Sequence, residues 1–212
     1  GLSKTYGATA FNLTAPSPST PGTWTYDSGT PSVISLTGIS ATVAGYGTSV
    51  ITATFAPTDI ANYVSGGTIA MTVTVSKATL GITASSHTVA FGAVIPTITP
   101  SYSGFVNGEG SSVLSNLVCT TTYTTTTSVG TTGSSCSGAT ASNYSFSYTA
   151  GVITITQGGQ TSVLAITSTT VIYGSTLSLI TSGGDGEGSN SFLVNSGPCT
   201  VSGTTLTAAA VG

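Results

Sequence analysis

The chain has 212 residues, and its 2 Lys/Arg and 5 Asp/Glu make up only 3% of them. Without a basic patch there is nothing to neutralise phosphates, so nucleic-acid binding is not expected. The scarcity of Glu, Lys and Arg also argues against long surface helices. An apolar content of 39% still suffices for a core, and we expect a folded chain.

Alternation of apolar and polar residues predicts β-strands along the chain. It is clearest at residues 51–55, at 68–75 and at Gly151–Thr156, where Ile, Val, Ala or Phe alternates with small polar residues. A period of two is that of a half-buried strand, and the branched Cβ of Thr suits its exposed face. Clusters of Gly, Pro, Asn and Ser separate these segments. The predicted fold class is all-β.

Two sets of matched residue pairs indicate an internal repeat. The aromatic–glycine pairs Tyr6-Gly7, Phe91-Gly92 and Tyr173-Gly174 lie 85 and 82 residues apart. Asn62-Tyr63 and Asn143-Tyr144 lie 81 residues apart, and each precedes a predicted strand. Both sets agree on a period of about 80 residues, which is typical of tandem small domains.

The period divides the chain into a first repeat at 1–77, a second at 78–157 and a partial third at 158–212. A third Asn-Tyr pair would fall beyond Gly212, so the third repeat is expected to lack its last strands. We expect the sequence to be part of a longer or processed protein. The connections between repeats are short, which favours an extended rod of β-sandwiches.

Several of these segments resemble bacterial Ig-like repeats of the MBG type. In the first repeat the resemblance depends on Lys4-Thr5-Tyr6-Gly7, Asn62-Tyr63 and the closing segment 72–78; in the second it depends on Phe91-Gly92, 102–109 and 142–146. The start of the third repeat is similar to another bacterial Ig-like variety. The resemblance implies tandem Ig-like β-sandwiches in a large secreted or surface-displayed bacterial protein. Such repeats serve as spacers, stalks or adhesive modules and carry no catalytic residues.

Two of the three cysteines are candidates for a disulfide. Cys119 and Cys136 flank a Thr-rich segment with a turn near Gly130, so adjacent strands would bring them together. Free buried thiols are the alternative. Cys199 has no mate in the sequence, and we expect it to be unpaired or paired outside this segment. No Cys-x-x-Cys occurs and no His lies near a cysteine, so zinc is not expected.

No set of residues predicts catalysis. The only histidine, His87, lies in a predicted strand; the nearest acid in sequence is Glu109, and no G-x-S-x-G occurs. Asp27 and Asp59 are isolated. The two lysines, Lys4 and Lys77, lie near repeat boundaries, where isopeptide links are not expected. We predict a protein that is not an enzyme and that has no catalytic residue, cofactor or metal.

The pair Asp185 and Glu187 leaves one alternative open. Both lie in the glycine loop 183–188, where a polar hairpin turn is the preferred interpretation and a weak Ca²⁺ contact is the other. The loop lacks the lysine of a phosphate-binding loop.

The Thr run 120–127 has three interpretations. The preferred one is a solvated edge strand. The others are O-glycosylation and an ice-ordering surface, and the second of these needs the same T-x-T pattern in successive strands, whereas this run is single. Asn12 and Asn143 begin N-x-S/T sequences and are candidate glycosylation sites.

The sequence favours a non-enzymatic, extracellular building block of a filament, sheath or adhesin stalk. Its expected partners are neighbouring repeats or other copies of itself. Chains with so few charges repel each other little, and an incomplete repeat leaves the edges of its sheets unpaired. A strand from another copy would then cover the row Leu177, Leu179, Phe192 and Val194; the alternative is that the polypeptide continues past Gly212 and supplies the remaining strands itself. No nucleic acid and no membrane span in this segment are expected. The alternatives are an adhesin module that binds a glycan or host protein through loop aromatics such as Trp24 and Tyr26, and an accessory region of a large secreted enzyme.

Overall fold

The computed structural model describes residues 1–18, 20–64, 66–159, 165–166, 171–182 and 191–209. Strands dominate these residues, and their helical content is a single 3-10 turn at Ser111–Val113. The all-β prediction is confirmed. None of the described residues forms a helix with the length and hydropathy needed to cross a bilayer.

The first predicted repeat contains two sheets. Its strands are β1 Leu2–Thr5, β2 Phe11–Asn12, β3 Gly22–Ser28, β4 Ile34–Thr37, β5 Ser40–Val43, β6 Gly47–Pro57 and β7 Gly67–Ser76. Sheet I has the order β1-β7-β6-β3, in which β1 is parallel to β7 and the other pairs are antiparallel. Sheet II has the order β2-β5-β4. The predicted strands 51–55 and 68–75 fall within β6 and β7.

The second predicted repeat also contains two sheets. Its strands are β8 Ala78–Ala84, β9 His87–Ala90, β10 Pro100–Ser103, β11 Val118–Thr121, β12 Gly130–Ser137, β13 Tyr144–Thr149 and β14 Gly151–Thr156. Sheet III has the order β10-β8-β13, with β8 antiparallel to β10 and parallel to β13. Sheet IV has the order β11-β12-β14-β9. The prediction of a strand at Gly151–Thr156 is correct.

The described part of the third predicted repeat contains short antiparallel pairs. Its strands are β15 Ala165–Ile166, β16 Thr176–Ser178, β17 Thr181–Ser182, β18 Cys199–Ser202 and β19 Thr205–Ala208. β15 pairs with β17, and β19 lies between β16 and β18. In the predicted inward row, Leu179 is buried and Leu177, Phe192 and Val194 are half-buried.

Buried side chains of both sheets build the core of each of the first two repeats. Ile34 of sheet II and Val73 and Val75 of sheet I are fully buried in the first, as are Leu80 of sheet III and Ile153 of sheet IV in the second. These are inward positions of the period-two pattern, with polar residues between them. The alternation therefore places apolar surface inside, as the hydrophobic effect requires.

The chain divides into two compact units. One consists of Gly1–Thr88, Ile95–Thr124 and Gly130–Thr154; the other contains Val89–Val94, Thr125–Val129 and the described residues from Ile155 onward. The first unit thus holds both sheets of the first repeat and most of the second repeat. The division into repeats near 77 and 157 stays a prediction.

Candidate functional site

Within the first unit, residues of the two predicted repeats meet around the first aromatic–glycine pair. The backbone N–H of Tyr6 donates to the Ser76 carbonyl at 2.9 Å, which fixes Tyr6 beside the end of β7. Gly7 follows with a φ of +87°, a conformation that glycine adopts without strain. A Cβ on Gly7 would lie 2.5 Å from the Cβ of Val106, so the two repeats approach here as closely as a glycine allows.

A tight turn in the second repeat presents the acid of this site. The Glu109 N–H donates to the Val106 carbonyl at 3.0 Å, and Asn107 and Gly108 between them have φ values of +57° and +72°. Positive φ at both central residues is the reason that Asn-Gly suits such a turn. The turn directs the half-buried Glu109 towards the first repeat.

Glu109 accepts hydrogen bonds from two tyrosines. The Tyr6 hydroxyl donates to Oε1 at 2.8 Å, and the Tyr144 hydroxyl donates to Oε2 at 2.5 Å. The Tyr144 oxygen also accepts the Val106 N–H at 3.1 Å. Hydrogen bonds to an ionised carboxylate are stronger than those between neutral groups. We call Tyr6, Glu109 and Tyr144 the tyrosine–glutamate junction.

The surroundings of Tyr144 favour its protonated form. Burial is the largest cause that raises its pKa above the ordinary 10.0, and the hydrogen bond to Glu109 raises this pKa further. Tyr144 therefore remains a hydrogen-bond donor at neutral pH.

Aromatic rings surround the carboxylate. Tyr6 and Tyr144 meet edge to face with ring centroids 5.7 Å apart, and Phe105 meets Tyr144 in the same way at 5.7 Å. Such pairs contribute about 0.5–1.5 kcal/mol beyond the apolar area that they bury. Tyr6 and Tyr144 are 6% and 2% exposed as whole residues.

A second set of contacts between the repeats lies around Asn143. Its Oδ1 accepts the N–H of Tyr46 of the first repeat at 2.9 Å, while within the second repeat its carbonyl accepts the Ala78 N–H at 3.0 Å. The Lys77 ammonium lies 5.1 Å from the centre of the Tyr46 ring and 3.4 Å from the Ala141 carbonyl. Asn143, a candidate glycosylation site from the sequence, thus binds the first repeat through its side-chain oxygen.

This arrangement holds chain segments together. Both oxygens of its one carboxylate accept tyrosine hydroxyls, and among the described residues no hydrogen bond joins it to a second acid or to a histidine. In the part of the chain that the structure describes, no three His, Cys, Asp or Glu side chains gather as a metal site requires.

The cysteines occupy the positions that the sequence suggests. Cys119 in β11 and Cys136 in β12 are direct cross-strand partners, and their sulfurs are bonded at 2.10 Å. Cys199, at the start of β18, is half-buried and forms no disulfide among the described residues.

The other titratable candidates do not come together. His87 hydrogen-bonds through Nε2 to the Ser85 hydroxyl at 2.9 Å. Asp59 accepts the Asn62 side-chain N–H at 2.8 Å, which lowers the pKa of this carboxyl, and it also accepts the backbone N–H groups of Ala61 and Asn62. Asp27 lies exposed on β3. Asp185 and Glu187 lie outside the described residues.

The aromatic residues expected in a binding loop belong to a strand. Trp24 and Tyr26 are both in β3 and half-buried, on the same face of sheet I as the buried Ala53. The Trp24 ring packs on Phe55 at 5.2 Å, and its Nε1 has no partner among the described residues. The expectation of loop aromatics is wrong, because the period-two pattern of β3 places both rings inward.

The Thr-rich run is only partly a strand. Residues 120 and 121 belong to β11, an edge strand of sheet IV, and residues 122–127 lie outside regular structure. One row of threonines crosses the outer face of sheet I instead, where Thr25, Thr54 and Thr68 are direct neighbours across β3, β6 and β7. The next row on that face is Asp27, Thr52 and Ala70, so the T-x-T pattern does not repeat in register across these strands. The candidate glycosylation site Asn12 lies exposed in β2, in the other sheet of the same repeat.

The sequence did not identify Glu109 as a binding residue. Glu109 and Tyr6 are 103 residues apart, and no periodic pattern connects them. The sequence does contain one usable signal. Glu109 is one of only 5 acids in the chain, and it directly follows an Asn-Gly pair that is typical of a tight turn.

Comparison with known families supports the resemblance noted from the sequence. Residues 80–154 match the family model described as MBG domain (YGX type). The match covers most of the second predicted repeat and confirms the MBG prediction there. No curated protein matches the chain.

Proposed function

From the MBG match of residues 80–154, we propose that this chain is a non-enzymatic structural repeat region of a bacterial surface protein. In this proposal it consists of tandem Ig-like sandwiches that form part of a filament, sheath or adhesin stalk. Its task is to hold spacing and bear load.

The observation that supports the load-bearing role in this proposal is the tyrosine–glutamate junction. A spacer works only if consecutive repeats resist bending and separation. Glu109 of the second repeat bonds Tyr6 of the first, and each hydrogen bond to a charged group contributes about 1.5–3 kcal/mol. Since Tyr144 of the same repeat positions the carboxylate from the other side, the contact is directional.

The chemistry of the chain supports an extracellular location. The Cys119–Cys136 disulfide suits an oxidising compartment, because cytosolic thiols are kept reduced. The scarcity of charge leaves little repulsion between copies of the chain, which suits assembly at a surface.

Single-molecule pulling of the full chain tests this function. We expect the two repeats of the first unit to unfold in one event, because the junction transmits load between them. Tyr6→Phe removes one hydroxyl and should lower the unfolding force or split the event in two. Tyr63→Phe is the matched control, since Tyr63 is exposed and should leave the force unchanged. Independent unfolding of the two repeats in the unaltered chain would contradict a load-bearing junction.

A further inference from the structure

The two tyrosines of the tyrosine–glutamate junction lie close enough to be joined covalently. Tyr6 of the first repeat and Tyr144 of the second are in ring contact, with centroids 5.7 Å apart. Both rings are phenols, and phenols couple through their ring carbons when they are oxidised. The neighbouring pair of Phe105 and Tyr144 has the same centroid separation, but phenylalanine has no hydroxyl and does not couple in this way.

Glu109 brings the reactive ends of the two rings together. The Tyr6 hydroxyl bonds Oε1 at 2.8 Å, and the Tyr144 hydroxyl bonds Oε2 of the same carboxylate at 2.5 Å. When a tyrosine loses an electron and a proton, the unpaired electron is concentrated on its oxygen and on the Cε carbons beside it. Because both hydroxyls converge on one carboxylate, the Cε ends of both rings are directed towards the same group.

The carboxylate also supplies the proton acceptor that the oxidation of a phenol requires. Burial, and then the hydrogen bond to Glu109, raises the pKa of Tyr144, so at neutral pH its oxygen carries a proton that has to leave with the electron. Each oxygen of Glu109 already accepts the hydroxyl of one tyrosine. A base within hydrogen-bond reach of the departing proton makes such a step easier.

We propose that Tyr6 and Tyr144 form a modification site at which a diffusible one-electron oxidant joins the two repeats through a dityrosine bond. Two equivalents of the oxidant each take one electron, and each phenol releases its hydroxyl proton by way of Glu109. A Cε carbon of Tyr6 then bonds a Cε carbon of Tyr144. The hydrogens on these two carbons leave as protons and the phenolic oxygens regain protons, so the net loss is two electrons and two protons.

The burial of the two tyrosines favours coupling within one chain. Only an electron and a proton have to leave the site, so the oxidant does not need to touch the rings. A second copy of the chain, in contrast, cannot reach radicals on residues that are buried as Tyr6 and Tyr144 are. A radical on an exposed tyrosine such as Tyr46 is open to solvent and to other copies.

This modification goes beyond the structural role proposed above. It depends on the geometry of the tyrosine–glutamate junction and not on whether the junction bears load. Pulling of the unoxidised chain tests the load-bearing role separately, so either proposal can fail without the other.

Photo-oxidation of the full chain at low concentration tests the site, with a ruthenium tris(bipyridyl) complex and persulfate as the source of one-electron oxidant. We expect the monomer, isolated by size-exclusion chromatography, to show dityrosine fluorescence and a mass lower by two hydrogen atoms. Peptide mapping by mass spectrometry should locate the bond between Tyr6 and Tyr144. Tyr63→Phe is the control, since Tyr63 is exposed and its loss should leave this yield unchanged.

Variants of the junction test each part of the site. Tyr6→Phe and Tyr144→Phe each remove one phenol, and both should lose the product within the monomer, so the result does not depend on the folding of a single variant. Glu109→Gln keeps both phenols but removes the proton acceptor, and we expect its yield to fall several-fold.

Three outcomes overturn the proposal. The first is an oxidised monomer without dityrosine. The second is a bond that maps to another pair of tyrosines or that persists undiminished in Tyr6→Phe. The third is an equal yield in Glu109→Gln, which would remove the carboxylate from the reaction.

Discussion

At the scale of single residues, the tyrosine–glutamate junction depends on Tyr6. Phe91, which stands at the matched position of the second repeat, does not have the same role. Tyr6 and Phe91 each begin an aromatic–glycine pair, and their N–H groups bond the ends of β7 and β14 at 2.9 and 2.8 Å. Only Tyr6 carries a hydroxyl, and only Tyr6 is buried, whereas Phe91 is 44% exposed. The hydroxyl is therefore not required by the turn itself. It belongs to the contact with Glu109.

Substitution of Gly7 and Gly92 by alanine should distinguish two causes of lost stability: backbone strain in the turn, and a clash with the neighbouring repeat. Both have positive φ, +87° at Gly7 and +79° at Gly92, so alanine costs about 1–2 kcal/mol of backbone strain at either. Only at Gly7 does the new Cβ meet Val106; at Gly92 nothing lies within 4 Å. We expect Gly7→Ala to lower the free energy of unfolding clearly more than Gly92→Ala, as measured by urea titration. Equal losses would contradict the close approach at Val106.

The pKa of Tyr144 predicts a loss of stability at high pH. Because this pKa is raised above 10.0, the folded chain holds its proton more tightly than the unfolded chain does. The contribution is complete below pH 10.0 and is lost as pH rises through the folded pKa. Urea titrations from pH 8 upward should show a steeper fall for the unaltered chain than for Tyr144→Phe. Parallel curves would show that Tyr144 titrates normally.

At the scale of elements, the disulfide closes the connection between β11 and β12. In the first repeat the corresponding connection, between β3 and β6, contains the hairpin of β4 and β5. Residues 122–129 of the second repeat contain no strand. The disulfide thus holds a pair of strands whose connecting segment lacks a hairpin of its own.

Replacement of both Cys119 and Cys136 by Ser should destabilise the second repeat by about 3 kcal/mol, because the bond closes a short loop in the unfolded chain. The cysteines are 17 residues apart. Thermal unfolding measures the change, and Cys199→Ser is the control that should leave stability unaltered. A double variant as stable as the unaltered chain would argue against this role of the bond.

The sequence predicted the strands better than their partners. Period-two segments and matched pairs located β6, β7 and β14, because inward and outward positions leave a local pattern. The pairing of Tyr6 with Glu109 joins residues 103 apart in sequence. No local pattern records this contact, so it required the structure.

At the scale of the whole molecule, the first unit unites two predicted repeats that the sequence treats as separate. Its contacts between repeats are of two kinds: buried aromatic rings around one carboxylate, and polar bonds from Asn143 and Lys77. The chain has only 7 charged residues, so few other charged groups could pair with Glu109 or compete with it for the tyrosine hydroxyls. A single well-placed carboxylate therefore has a large influence on how consecutive repeats join.

A double-mutant cycle between Tyr6→Phe and Glu109→Gln tests this central claim most directly. The free energy of unfolding is measured by urea titration for the unaltered chain, both single variants and the double variant. If the hydroxyl and the carboxylate stabilise the unit through each other, we expect a coupling energy of about 1.5–3 kcal/mol. Effects that add to within about 0.5 kcal/mol would contradict the account, since independent sites behave in that way.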